Sequence, residues 1–150
     1  GPVAPPLLRL ANALAWDTVV VDARQNAAVD GAAEVIRGDP AAFVKSIGKT
    51  DNTAVVLLAH DYKFDLPVLR AVLATPVAYI GMLGSRRRGK AMLDFLADEG
   101  IAADQLKRIR VPVGLDIGAD SPAELALSVL AEAMAALRGR AGAAMSARQQ

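Results

Sequence analysis

Short apolar runs rich in β-branched residues recur along this chain, with helix-start signals between them. Residues 18–22 (TVVVD), 34–36 (EVI), 54–58 (AVVLL) and 77–80 (VAYI) have the length and composition of strands buried on both faces. Parallel strands cannot be joined by a tight hairpin and need a crossover of about a dozen residues or more. The intervals here provide that room. Strands alternating with helices therefore predict an α/β fold, a Rossmann-like doubly wound parallel sheet. The chain has 150 residues, enough for one domain with a real core. It is 53% hydrophobic and only 4% aromatic, a balance that suits alanine-rich helices packed on a sheet and argues against disorder.

The helix signals are specific. Asp39 followed by Pro40 places a cap and a first-turn proline ahead of AAFVKSI. Asp65 and Pro67 are expected to do the same for a helix through Leu73. Ser85 opens a helix running to about Asp98 and stopping at Gly100. Ser121-Pro122-Ala123-Glu124 reads as a capping box with proline at the first helical position. Beyond it Leu127, Leu130, Met134 and Leu137 recur at spacings of three and four, predicting the face that docks on the sheet. Residues 139–150 carry no pattern and are expected to form a disordered tail.

The beginning of the chain is unusual. Leu7, Leu8, Leu10 and Leu14 predict a helix from near Val3 toward the strand at Thr18, yet no strand precedes it. In a Rossmann domain the first strand feeds a GxGxxG/A turn that opens such a helix. Gly1-Pro2-Val3-Ala4 fits the second half of that turn, Gly1 as its second glycine and Ala4 as its third small residue. An alternative reading makes Gly1-Pro2 a cleavage scar. On the first reading, residues 1–138 form a Rossmann-like domain truncated before its first strand. Such a gap must be closed, filled by further residues, or left to a neighbouring chain, and an exposed strand edge invites a homodimer.

Composition excludes several classes. The net charge of +1 gives no global attraction to nucleic acid or to a membrane surface. No apolar run approaches the roughly 20 residues of a membrane span, and no signal peptide is evident. The absence of cysteine removes disulfides, thiolate metal sites and a cysteine nucleophile, and is compatible with a cytoplasmic location. No histidine–carboxylate cluster has metal-ligand spacing, and neither a GxSxG elbow nor a Walker lysine occurs.

The polar residues fall at the ends of the predicted strands, where ligands bind in open parallel sheets. The stretch VAYIGMLGSRRR (77–88) carries the strongest signal. Gly81 and Gly84 permit a tight turn and close backbone approach by a ligand. Ser85 caps a helix whose N-terminus favours anions, and Arg86, Arg87 and Arg88 add charge of the same sign. The plain alternative is a solvated basic helix start. Asp22 ends a strand about 20 residues after the glycine turn, where an acid accepts from a ribose hydroxyl. Arg24 favours a 2′-phosphate instead, so NAD and NADP both stay open. His60, the chain's one histidine, is a ligand contact, a proton carrier or a simple strand-end residue. Asp61 bonds either a ligand or the next turn. Gly114 and Asp116, in VGLDIG, contribute a cleft carboxylate or order the turn before the last helix. Tyr62, Lys63 and Phe64 read as cover for a helix start. The candidate cofactor-binding residues are thus Gly1, Asp22, Arg24, His60, Asp61, Gly81, Gly84, Ser85, Arg86, Arg87, Gly114 and Asp116, with no catalytic residue and no metal ligand among them.

VVLLAHD at 55–61, YIGMLGSRRR at 79–88 and PVGLDIGADSPAELALSVLAE at 112–132 resemble the Rossmann-type C-terminal domain of the XdhC/CoxI family, from Gly1 to about Leu137. The resemblance implies an accessory factor for molybdenum hydroxylases such as xanthine dehydrogenase and carbon monoxide dehydrogenase. Such a factor holds molybdenum cofactor (molybdopterin), assists its sulfuration and delivers it to the apoenzyme. It implies the hydroxylase apoenzyme and a sulfurtransferase as partners, and a maturation factor in place of an enzyme. The segments from Gly84 to Arg87 and from Gly114 to Gly118 match family motifs, and His60 with Asp61 matches the strand-end pair. The chain departs from the family pattern by lacking the usual N-terminal domain with its cofactor-linked cysteine, and the central first strand. Two other readings compete. One is an NAD(P)-dependent oxidoreductase, which needs His60 or a tyrosine as proton donor and has no room for a substrate domain. The other is a non-catalytic interaction module.

Overall fold

The computed structural model describes residues 2–22, 34–48, 52–59 and 61–147, and the backbone alone at 34–37 and 62. From β2 onward helices separate the strands as predicted, and residues 23–33 between β1 and β2 lie outside the described residues. Helix α1 (Ala4–Ala13) leads to β1 (Val19–Asp22). Then come β2 (Glu34–Arg37), α2 (Pro40–Ser46), β3 (Ala54–Leu57), α3 (Tyr62–Leu73) and β4 (Tyr79–Met82). Helix α4 (Arg86–Asp98), the short α5 (Ala103–Leu106), β5 (Ile109–Arg110) and α6 (Pro122–Leu137) complete the fold. All described strand pairs are parallel: β1 with β2, β3 with β4, and β4 with β5. They form a two-stranded sheet, β1-β2, and a three-stranded sheet, β3-β4-β5. Strands β1 and β3 do not pair with each other. Each keeps one edge without a strand partner among the described residues.

The helices cover both faces. Helix α2 packs on α3 and touches β1, while α1 packs on α6 and α6 on β4. Alternation along the strands divides the core accordingly. Val55, Leu57, Ile80 and Met82 face Val44, Leu69, Val72, Met92 and Leu96 of α2, α3 and α4. Ala54, Val56 and Tyr79 face Leu7 and Ala11 of α1 and Val129, Leu130 and Ala133 of α6.

Local chemistry explains most boundaries. The Asp39 carboxylate accepts from the Ala41 amide (3.2 Å), and Ser85 Oγ from the Arg88 amide (3.2 Å). In the capping box Ser121 Oγ accepts from the Glu124 amide at 3.1 Å, and Glu124 Oε1 accepts from the Ser121 amide at 3.0 Å. Gly100 ends α4 with φ +93°, a conformation open to glycine.

Three expectations need correction. Helix α3 starts at Tyr62, before Asp65 and Pro67, because Asp61 Oδ1 accepts from the Lys63 amide (2.9 Å) and supplies the cap. Asp65 is instead buried in the first turn, and Pro67 lies inside the helix. The strand expected at 77–80 lies at 79–82, so Gly81 belongs to β4, opposite Val56 and Arg110, and not to a turn. In α6 the buried face is Ala126, Val129, Leu130 and Ala133, whereas Leu127 is 52% exposed. The helix is apolar nearly all round, so fit against α1 selects the face, and small residues allow the closest approach. Beyond α6, Arg140 and Gly142 touch the domain. Arg140 donates its amide to the Ala135 carbonyl (2.7 Å), and Gly142 lies against Leu115.

Candidate functional site

An open cavity of about 470 Å³ lies along β5 and the loop that follows it, beside the start of α4. Its walls are Arg86 at the start of α4, Lys107, residues 109–116, and Glu132 from α6. Two close approaches build it. Gly89 sits in the second turn of α4, where a Cβ would lie 2.7 Å from both methyls of Val111. The bare backbone lets the start of α4 lean on the exit of β5. Gly114 has φ +106°, and a Cβ there would overlap Ser128 Oγ of α6. The loop after β5 is thereby laid on α6, where the Leu115 amide donates to the Ser128 carbonyl at 3.1 Å.

The polar floor of the cavity is a network. Glu132 Oε1 accepts from the Tyr79 hydroxyl at 2.6 Å and from the Gly114 amide at 3.0 Å. Glu132 Oε2 lies 3.9 Å from Arg110 Nη1, and the Arg110 guanidinium stands 5.8 Å from the centroid of the Tyr79 ring. Burial, reinforced by the hydrogen bond to Glu132, pushes the Tyr79 phenol far above its usual range, so it stays a donor. Around this floor Arg86, Lys107 and Asp116 are exposed. Three cations (Arg86, Lys107, Arg110) thus face a cavity with two carboxylates (Asp116, Glu132), one of them committed on one oxygen to protein donors.

The residues singled out by sequence distribute unevenly. Arg86, Gly114 and Asp116 line the cavity together. Gly84 and Ser85 form the turn and cap that aim α4 at it, while Arg87 is exposed outside the lining. Gly81 faces the α6 side of the sheet, where a Cβ would lie 2.5 Å from Val113 and 2.8 Å from the Tyr79 ring. Its missing side chain makes room for Tyr79 and not for a ligand. Asp61 caps α3, and Lys63 and Phe64 beside it are exposed. Asp22 ends β1 in the other sheet. Gly1, Arg24 and His60 lie outside the described residues. Sequence reasoning misses Tyr79, Lys107, Arg110 and Glu132. The available signal is Glu132 itself, the one charged residue of α6 beyond its first turn.

Residues 1–133 match the XdhC Rossmann domain. The chain belongs to this family. It is 43% identical over 81 residues to the molybdenum cofactor insertion chaperone PaoD of Escherichia coli (strain K12), which covers 54% of the chain and 26% of that protein. It is 29% identical over 136 residues to a probable xanthine dehydrogenase subunit of Bacillus subtilis (strain 168), covering 88% of the chain and 39% of that protein. The crystal structure of a xanthine dehydrogenase from Bacillus halodurans superposes with a TM-score of 0.77 at 30% identity, over 99% of the chain and 42% of that structure. The chain therefore spans well under half the length of these relatives. Like the XdhC domain it matches, it is an α/β Rossmann domain, and no helix among its described residues is long and apolar enough to cross a membrane.

Proposed function

We propose that this XdhC domain holds an anionic cofactor, molybdenum cofactor or a nucleotide, for insertion into a molybdenum hydroxylase apoenzyme. The observation that carries the reading is the cavity along β5 whose lining includes Arg86, Lys107 and Arg110. A phosphate suits such a wall, since guanidinium groups and a capped helix start both favour oxyanions. Asp116, on the loop of the same cavity, suits a hydroxyl or a ring N–H of the same ligand. The similarity to PaoD, a molybdenum cofactor insertion chaperone, supports the direction of this reading. The chain has no cysteine, so it cannot carry sulfur as a persulfide. We take a sulfurtransferase partner as the source of sulfur. We further take residues 1–138 as a domain whose two sheets are joined by an additional strand between β1 and β3. The unpartnered edges of those strands support this.

A thermal-shift panel on the 150-residue chain tests both points. The ligands are NAD, NADP, a cytidine nucleotide and a molybdopterin-type cofactor, with Arg86→Ala and Asp116→Ala alongside. A ligand at about 100 times its Kd stabilises by about 2.7 kcal/mol. For a chain of this size that is a rise of roughly 5–10 °C. A rise with the cofactor or a nucleotide, reduced in both variants, is expected. A clean melt unmoved by every ligand would overturn the cofactor reading. A cooperative melt as a stable monomer would count against the additional strand.

A further inference from the structure

Glu132 uses only half of its carboxylate. Oε1 takes both protein donors, Tyr79 and Gly114, while the nearest donor to Oε2 is Arg110 Nη1 at 3.9 Å, beyond hydrogen-bond reach. No fully buried side-chain oxygen or nitrogen among the described residues lacks a partner. Oε2 is therefore not sealed in the core, and Glu132 lines the cavity. It is an acceptor held in place by two hydrogen bonds on its sister oxygen.

Arg110 presents the opposite chemistry at the same place. Arg108 spends its guanidinium on the Leu73, Thr75 and Val77 carbonyls and on Gln105, and Arg70 spends its own on Glu99. The Arg110 guanidinium makes no hydrogen bond to any described residue. It is held by the Glu132 charge and the Tyr79 ring, with its side chain 47% exposed. An acceptor held by two hydrogen bonds thus stands beside a half-exposed fork of donors.

Resting on the reading of the cavity as a cofactor or nucleotide site, we infer that Glu132 and Arg110 read the hydrogen-bonding edge of a ligand's heterocycle. Glu132 Oε2 accepts from a ring or exocyclic N–H, and Arg110 donates to the adjacent carbonyl oxygen or ring nitrogen. The ligand class is a phosphorylated heterocycle with a lactam-type edge, an N–H beside a C=O, its phosphate falling to Arg86 and Lys107 across the cavity. Glu132 is then a specificity-determining residue.

The test compares guanosine 5′-monophosphate with purine riboside 5′-monophosphate, which keeps the ring system, ribose and phosphate but lacks the edge N–H and C=O groups. Affinities are measured by calorimetry on the whole chain at fixed ionic strength. The wild type should prefer the guanosine nucleotide by about tenfold or more, the scale of a good paired edge contact. Glu132→Gln keeps an oxygen for Tyr79 and Gly114 but presents N–H groups where Oε2 was. The preference should fall to within about twofold. Arg110→Met, a half-exposed position less able to disturb the fold, should reduce the preference as well. Arg86→Ala should weaken both nucleotides by the same factor and leave the preference intact. Equal binding of the two nucleotides by the wild type, or a preference that survives both Glu132→Gln and Arg110→Met, would overturn the edge reading while leaving the cavity reading intact. No binding of either nucleotide would overturn the edge reading, and the cavity reading falls only if the thermal-shift panel is also unmoved by every ligand.

Discussion

Gly114→Ala probes the loop on which the candidate site depends, and its cost has two separable parts. The first is conformational. Gly114 sits at φ +106°, and holding an L-residue in such a sparsely populated region costs about 1–3 kcal/mol. The second is steric. The new methyl overlaps Ser128 Oγ and lies 3.2 Å from Ser128 Cβ, on a helix that cannot retreat because Val129 beside it is fully buried. Overpacking of this kind costs about 1–3 kcal/mol. Reduced freedom of the unfolded chain returns about 0.4–1 kcal/mol. The net is a loss of about 3 kcal/mol, or a Tm lower by roughly 6–12 °C for a chain of this length. Thermal and urea melts followed by circular dichroism measure it. Adding Ser128→Ala removes the overlapping oxygen and should recover about 1–2 kcal/mol, leaving the backbone cost in place. A Gly114→Ala protein within about 0.5 kcal/mol of the parent, the usual range of a neutral surface change, would refute the reasoning. A serine change that rescues nothing would refute its steric half.

Arg108→Met should cost about 2–4 kcal/mol in urea melts, because it strips charged donors from the Leu73 and Thr75 carbonyls at 3.0 and 2.6 Å where α3 ends. Arg108→Lys should recover less than half, since an ammonium cannot span the same acceptors. Acid should weaken the fold through Glu124 and Glu99. Backbone hydrogen bonds from Ser121 and Asp120 hold Glu124 below the usual glutamate range, and the side-chain hydrogen bond from Arg70 does the same for Glu99. Both folded values lie below the unfolded ones, so their contribution is present above the ordinary glutamate range and is lost as pH falls through the folded values. Melting temperatures should be flat from about pH 7 to 5 and decline below about 4.5, less steeply in Glu124→Gln and Glu99→Gln than in the parent. An unchanged slope in both variants would exclude these groups as the cause.

How much of this is legible in the sequence depends on range. Asp39, Ser85 and the Ser121–Glu124 box place helix starts correctly because cap and partner lie within three residues of each other. Asp61 and Asp65 show where local rules compete. Both can cap, and tertiary burial of Asp65 is invisible locally. Gly81 looks like a turn residue because its neighbours in sequence include Gly84. The ring of Tyr79 and the Val113 methyl that require it are set by folding. Leucine spacing misplaces the docking face of α6 because it predicts a face only when the opposite side is polar. In the Pro122–Leu137 helix alanines fill the gaps, and shape decides instead.

The candidate site follows the same logic. Parallel topology brings the strand ends to one edge, which is why Arg86, Gly114 and Asp116 meet as their positions suggest. Topology does not say where along that edge a cavity opens. Helix α4 could stand away from the exit of β5, and the loop after β5 could stand away from α6. Gly89 and Gly114 remove both options by letting backbone lie where a methyl would collide with Val111 or Ser128. A glycine within α4 costs about 0.5–1 kcal/mol relative to alanine. That cost is intelligible if the approach it allows is what brings Arg86 to Arg110. The same approach brings the Gly114 amide to Glu132, 18 residues along the chain, and so completes a network whose other donor, Tyr79, is 53 residues away. Sequence motifs therefore locate the polar rim of the site, while its floor is written in two absent side chains and one buried carboxylate.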